Sequence, residues 1–131
     1  ACPSWNGLGT RDETACVASD ARRGGWTWGR LEHGLLAGAP EVLPAEQARA
    51  RVAECLENGV PVYSTETEEN LAAREMAGIV PVCPHAEALG TAWLSLAAGR
   101  REELLESPAE PLYVRAPHIT CAKRPAWAVK A

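Results

Sequence analysis

From Pro44 onward the hydrophobic period of this chain changes from two residues to between three and four, and that change restricts the architecture more than any other feature. Before it, Thr14-Ala15-Cys16-Val17-Ala18 is a short apolar run of the kind a doubly covered strand shows. Asp20 to Gly25 supplies turn residues, and then Trp26, Trp28 and Arg30 alternate with Thr27, Gly29 and Leu31, which predicts a hairpin. Gly34, Gly38 and Pro40 punctuate the next stretch, leaving Glu41-Val42-Leu43 as a third, short strand.

After the change, Ala45, Ala48, Val52, Cys55 and Leu56 fall on one side of a helix. Pro44 suits its first position and Asn58-Gly59 its stop. Val60-Pro61-Val62-Tyr63 has the length of a strand, although Pro61 removes a backbone donor. Ser64 or Thr65 can cap a second helix running to Gly78, with Thr65 and Glu68 at capping-box spacing and Glu66, Glu68 and Glu69 favouring the positive helix start. Ile79-Val80-Pro81-Val82 is a further strand. Ala86, Leu89, Trp93, Leu96 and Ala97 then repeat at helical intervals as far as Gly99, before a charged stretch broken by Ser107-Pro108 and an extended close. The order is strand, strand, strand, helix, strand, helix, strand, helix. A three-strand meander followed by helical crossovers implies an α/β fold with a mixed sheet, the arrangement of the ribonuclease-H-like unit that actin-like ATPases use twice.

At 131 residues, 47% hydrophobic and 23% charged, the chain suits one core. Its net charge of -4 gives no field that would draw the whole molecule onto nucleic acid or an anionic membrane. No apolar run approaches the ~20 residues of a membrane span, and no leader-like segment opens the sequence, so a cytoplasmic location is expected. The five cysteines have no paired spacing, which suits a reducing compartment. Phe is absent and Trp occurs five times, so indoles must supply much of the aromatic volume. The first residue is Ala rather than Met, and residues 1–13 read as a linker or the remnant of a preceding segment. Residues 14–115 form the expected domain and 116–131 a C-terminal tail.

Three short stretches carry a resemblance: Asp20-Ala21-Arg22-Arg23-Gly24, Pro44-Ala45-Glu46 and Pro111-Leu112-Tyr113-Val114-Arg115. In this order they resemble the Asp-Ala-Arg-x-Gly hairpin, the Pro-Glu-Glu-type helix start and the closing Pro-x-Tyr-x-Arg segment of the TsaB (YeaZ) family. The likeness is to the C-terminal half of that family and runs from about Thr14 to Arg115. The chain differs from the pattern in having Gly25 in place of Glu and Trp26-Thr27 in place of Val-Tyr. The resemblance implies a non-catalytic scaffold or activator in bacterial threonylcarbamoyladenosine tRNA modification. A TsaD-type catalytic subunit and a TsaE-type ATPase are then its partners, and nucleic acid is reached only through the complex. It further implies that the family's first half, used for pairing, is not in this sequence. Weak binding to the catalytic subunit and some self-association through a face bearing Trp26 and Trp28 are therefore expected. The alternative is a small nucleotide-binding or glycoprotease-like enzyme of the same superfold.

Individual residues weigh against that alternative. Asp20 to Gly24 occupies the place of a phosphate-cradling hairpin, and Arg22 and Arg23 are suitable donors to phosphate. Ala21 and Arg22 nevertheless carry side chains where close backbone approach favours glycine, so a structural turn is the preferred reading. Cys83-Pro84-His85, with His33, His118 or Cys121, lacks the paired short spacing of a zinc site, and the same Cys and His lack the accompaniments of a nucleophile pair. A buried Cys83 ending a strand and a His85 in a helix's first turn are expected instead. The run from Glu66 to Glu69 reads as helix-start charge. Lys123, Arg124 and Lys130 around Trp127 make a thin footprint for single-stranded nucleic acid, and a solvated tail is expected. No catalytic, cofactor-binding or metal-ligating residue is assigned, and no cofactor is expected.

Overall fold

The structure is a computed structural model that describes residues 5–9 and 12–111. Five strands form one sheet: β1 (Thr14–Asp20), β2 (Gly25–Glu32), β3 (Leu35–Pro44), β4 (Val62–Ser64) and β5 (Val80–Pro81). Their spatial order is β3-β2-β1-β4-β5. Both β1 and β3 pair antiparallel with β2, whereas β4 pairs parallel with β1 and β5 parallel with β4. One strand, β2, thus runs against the other four. The result is an α/β fold with a mixed sheet, as the order of elements implies. Between the strands and after them lie α1 (Ala45–Glu57), α2 (Glu68–Ala73), α3 (Ala86–Ser95) and α4 (Ala98–Glu106).

The period-2 pattern of β1 and β2 divides the core between the two faces of the sheet. On one face Cys16, Ala18, Trp26 and Trp28 meet Ala48 and Val52 of α1 and Leu71 of α2. On the other, Ala15, Val17 and Leu31 meet Leu8, with Trp5, Leu36 and Tyr63 packed around them. Trp26 is 2% exposed and Trp28 6%, so the face expected to support self-association through these indoles is interior. At ~25 cal/mol per Å2, indoles offer the largest burial gain of any side chain here, and α1 takes it up.

Residues 5–9 belong to this packed unit rather than to a free connection. Gly7 N–H donates to the Gly34 carbonyl at 2.7 Å, and Leu36 N–H donates to Asn6 Oδ1 at 2.7 Å. Gly7 also needs its missing side chain, because a Cβ there would stand 2.7 Å from the Leu89 nitrogen of α3.

Several elements depart from the sequence expectation. The third strand begins at Leu35 and is ten residues long, with Gly38 and Pro40 inside it. Both are tolerated because β3 is an edge strand whose register shifts opposite Trp28 and Arg30, and such a bulge accepts a positive φ and a missing donor. Pro44 is the N-cap of α1 rather than its first helical residue. Val60 and Pro61 precede β4, and the Pro61 carbonyl still accepts the Cys16 N–H at 2.9 Å. The second helix is capped by Thr67, whose side chain accepts the Asn70 N–H, not by Ser64 or Thr65, and it ends at Ala73. What reads as one helix after residue 85 is two, parted where Leu96 takes an extended conformation, and the charged stretch forms α4. Cys83 is exposed, not buried, since β5 is a two-residue edge with nothing paired beyond it among the described residues. No helix among the described residues is long and apolar enough to cross a membrane.

Candidate functional site

In an open sheet with parallel strands, ligands gather at the carboxyl ends of adjacent strands whose connections leave in opposite directions. Here that point lies between β1, which turns back into β2, and β4, which leads into α2. The sequence places Ser19 and Asp20 at the end of β1 and Ser64, Thr65 and Glu66 at and after the end of β4. Parallel pairing of Cys16 with Val62 and Val17 with Tyr63 brings the two groups level.

They form one connected polar cluster. Ser19 Oγ and Thr65 Oγ1 are 3.2 Å apart, and the Asp20 N–H donates to Glu66 Oε1 at 3.3 Å. Glu66 Oε2 accepts from Asn70 Nδ2 at 2.7 Å, while its own N–H donates to Ser64 Oγ at 3.1 Å. Asp20 Oδ1 accepts the Arg22 N–H at 2.7 Å, and Oδ2 faces the Arg74 guanidinium at 3.2 Å. That second contact is an ion pair without hydrogen-bond alignment, so Oδ2 is buried with charge compensation but no donor of its own. Two carboxylates are therefore held by one guanidinium, one amide and two backbone N–H groups.

The hairpin above the cluster is tight. Gly25 N–H donates to the Arg22 carbonyl at 3.0 Å and Ala21 N–H to the Gly25 carbonyl at 2.9 Å. Arg22, Arg23 and Gly24 all have positive φ, at 65°, 53° and 75°. Only glycine adopts such values without strain, so the two arginines hold a conformation costing about 1–2 kcal/mol each. The amides of Ala21, Arg22 and Gly25 are all engaged by the hairpin itself. The Arg22 and Arg23 side chains stand exposed at its tip.

The other residues singled out in the sequence stay apart. His33 is exposed in the turn between β2 and β3, and Cys83 is exposed before α3. His85 is the N-cap of α3, with no side-chain capping bond. Glu68 and Glu69 occupy the first turn of α2, whereas Glu66 serves the cluster at β1. His118, Cys121, Lys123, Arg124, Trp127 and Lys130 lie outside the described residues, as do residues 112–115 of the closing motif. Among the described residues no three His, Cys, Asp or Glu side chains converge as a metal site.

A second arrangement has no signature in the sequence. Cys55 of α1 and Cys16 of β1 bring their sulfurs to 3.7 Å. Burial above all, with the neighbouring Cys55 thiol adding to it, pushes the Cys16 thiol up to about 12. The pair lines a groove of about 410 Å3 whose walls include Arg30, Glu41, Arg51 and Glu54. The inward positions of Cys16 in a strand and Cys55 in a helix are readable separately; their meeting depends on where α1 crosses the sheet.

No family model matches this chain, and the curated proteins contain no match either. Among solved structures, the crystal structure of an uncharacterized protein with similarity to peptidase YeaZ from Pseudomonas aeruginosa aligns at 25% sequence identity with a TM-score of 0.49. The alignment covers 85% of this chain and 56% of that one, so the chain spans a little over half the length of that protein.

Proposed function

We propose that this chain is the C-terminal half domain of a TsaB-type protein and acts as a scaffold or activator in bacterial threonylcarbamoyladenosine tRNA modification. The observation that carries the reading is the position of its most family-like motif. Asp20-Ala21-Arg22-Arg23-Gly24 is the β1–β2 hairpin of a sheet ordered β3-β2-β1-β4-β5, and Pro44-Ala45-Glu46 opens the helix that follows β3. Motif order and topology thus agree, as they must if the resemblance reflects a shared fold. The cluster beneath the hairpin suits support rather than chemistry, because Asp20 and Glu66 are both engaged in holding strand ends. Catalysis then belongs to a TsaD-type subunit, with a TsaE-type ATPase as a further partner, and the site of action is cytoplasmic.

Reconstitution tests this. A longer protein that contains this chain, mixed with TsaD-type and TsaE-type subunits, the threonylcarbamoyl donor and tRNA, is expected to raise formation of the modified adenosine well above the level without it. The 131-residue chain alone is expected to bind the TsaD-type subunit only weakly. Equal product with and without the longer protein overturns the proposal.

A further inference from the structure

Cys16 and Cys55 are 39 residues apart in sequence and 3.7 Å apart at sulfur. They sit where the central strand of the sheet meets the helix that covers it, and both line a groove open to solvent. Cys55 is half-buried and Cys16 buried, so the two thiols differ in access. A pair meant only to fill space needs neither a groove nor this asymmetry. We propose that Cys16 and Cys55 are a reversible disulfide site, closed by exchange with a low-molecular-weight disulfide that enters the groove and meets Cys55 first.

The exchange balances in two steps. The Cys55 thiolate attacks one sulfur of the small disulfide, forming a mixed disulfide and releasing one small thiolate, which takes up the Cys55 proton. Cys16, losing its proton to solvent, then attacks Cys55 Sγ, and the second small thiolate leaves and is protonated. Two protein thiols are oxidised, and one small disulfide is reduced to two thiols. Closure requires the sulfurs to approach from 3.7 Å to ~2.0 Å. The raised pKa of Cys16 keeps its thiolate scarce near neutrality, but proximity raises its effective concentration enough for the second step.

The consequence is a staple between β1 and α1. A cross-link that closes a loop of this length restricts the unfolded chain and raises the melting temperature.

The test uses the 131-residue chain and a variant with Cys2, Cys83 and Cys121 changed to Ser, each incubated with glutathione disulfide at about pH 8, where thiolate attack proceeds. Tryptic cleavage after Arg22 and Arg51 places Cys16 and Cys55 on separate peptides. The expected result is a linked Cys16–Cys55 peptide pair in both proteins and loss of both free thiols in the variant. Tm should rise by about 5 °C or more and return to its starting value on reduction. In the chain carrying Cys55→Ser the linked pair and the rise disappear. A stable glutathione adduct on Cys55 without closure, or reaction confined to the other cysteines, overturns the proposal. The peptide map of the unaltered chain decides between these outcomes even if a variant folds poorly.

Discussion

Asp20 Oδ2 and the Arg74 guanidinium lie 3.2 Å apart, the carboxylate side chain 3% exposed and the arginine 45% exposed. The pair ties the end of β1 to the residue that follows α2. Removing the arginine strands a buried carboxylate oxygen that already lacks a hydrogen-bond donor. Arg74→Ala is expected to cost about 1–3 kcal/mol in urea unfolding. By contrast, Glu32→Ala, which breaks the exposed Arg30–Glu32 pair, is expected to cost under ~1 kcal/mol. Equal effects would show that the Asp20 pair is as solvated as the exposed one.

Arg23 tests the strain in the hairpin. Its φ of 53° is relieved by Arg23→Gly, but glycine also gives the unfolded chain more freedom, worth about 0.5–1 kcal/mol in the opposite direction. The net expectation is a gain of up to about 1 kcal/mol, read from the denaturation midpoint at unchanged slope. A clear loss would mean that the Arg23 side chain contributes a contact which outweighs the strain.

Gly29 is the point where residues 5–9 press on the sheet. A Cβ there would stand 2.7 Å from Trp5 Cζ3 and 2.9 Å from Leu36 Cδ1. Gly29→Ala is expected to destabilise by about 1–3 kcal/mol. Trp5 fluorescence should shift as the indole is displaced. The penalty should shrink in a Leu36→Ala background, and strict additivity of the two changes would contradict this packing.

Alkaline pH separates two protonated groups. The Cys16 thiol rises from 9.0 to about 12 chiefly through burial, and the Tyr63 phenol from 10.0 to about 12 chiefly through its 2.6 Å hydrogen bond to Asp12 Oδ2. In both cases the folded chain holds its proton more tightly than the unfolded chain. The stabilisation is full below about pH 9 and is lost as the pH climbs towards 12. Tm is therefore expected to fall across that window, and Tyr63→Phe to remove the part of the slope above about pH 10. A Tm that rises above about pH 9 would contradict both shifts.

Much of the fold was legible because it is written in local pattern. The alternation in β1 and β2, the turn at Asp20 to Gly25 and the helix opened after Pro44 all depend on residues within a few positions of one another. Where the pattern misled, a neighbour distant in sequence intervened. Gly38 and Pro40 look like strand breakers, yet an edge position and a bulge remove the cost of both. Leu96 continues a helical period but turns out of α3 and lines the grooves beside Leu35 and Leu36 of β3. Cys83 follows an apolar run as a buried residue would, yet it lies beyond an edge strand with no further strand among the described residues to cover it.

The candidate sites divide in the same way. The sequence alone determined that Asp20 begins a tight turn, that Glu66, Glu68 and Glu69 stand near a helix start, and that Cys16 and Cys55 each face inward, since periodicity and turn chemistry are short-range properties. Only the tertiary structure decided that Asp20 meets Arg74 and Glu66, that Trp26 and Trp28 lie beneath α1 rather than on a free face, and that two cysteines 39 residues apart share one groove. Those meetings are set by the parallel register of β1 with β4 and by where each helix crosses the sheet. Both are fixed by burial summed over many residues, and no short window of sequence contains that sum.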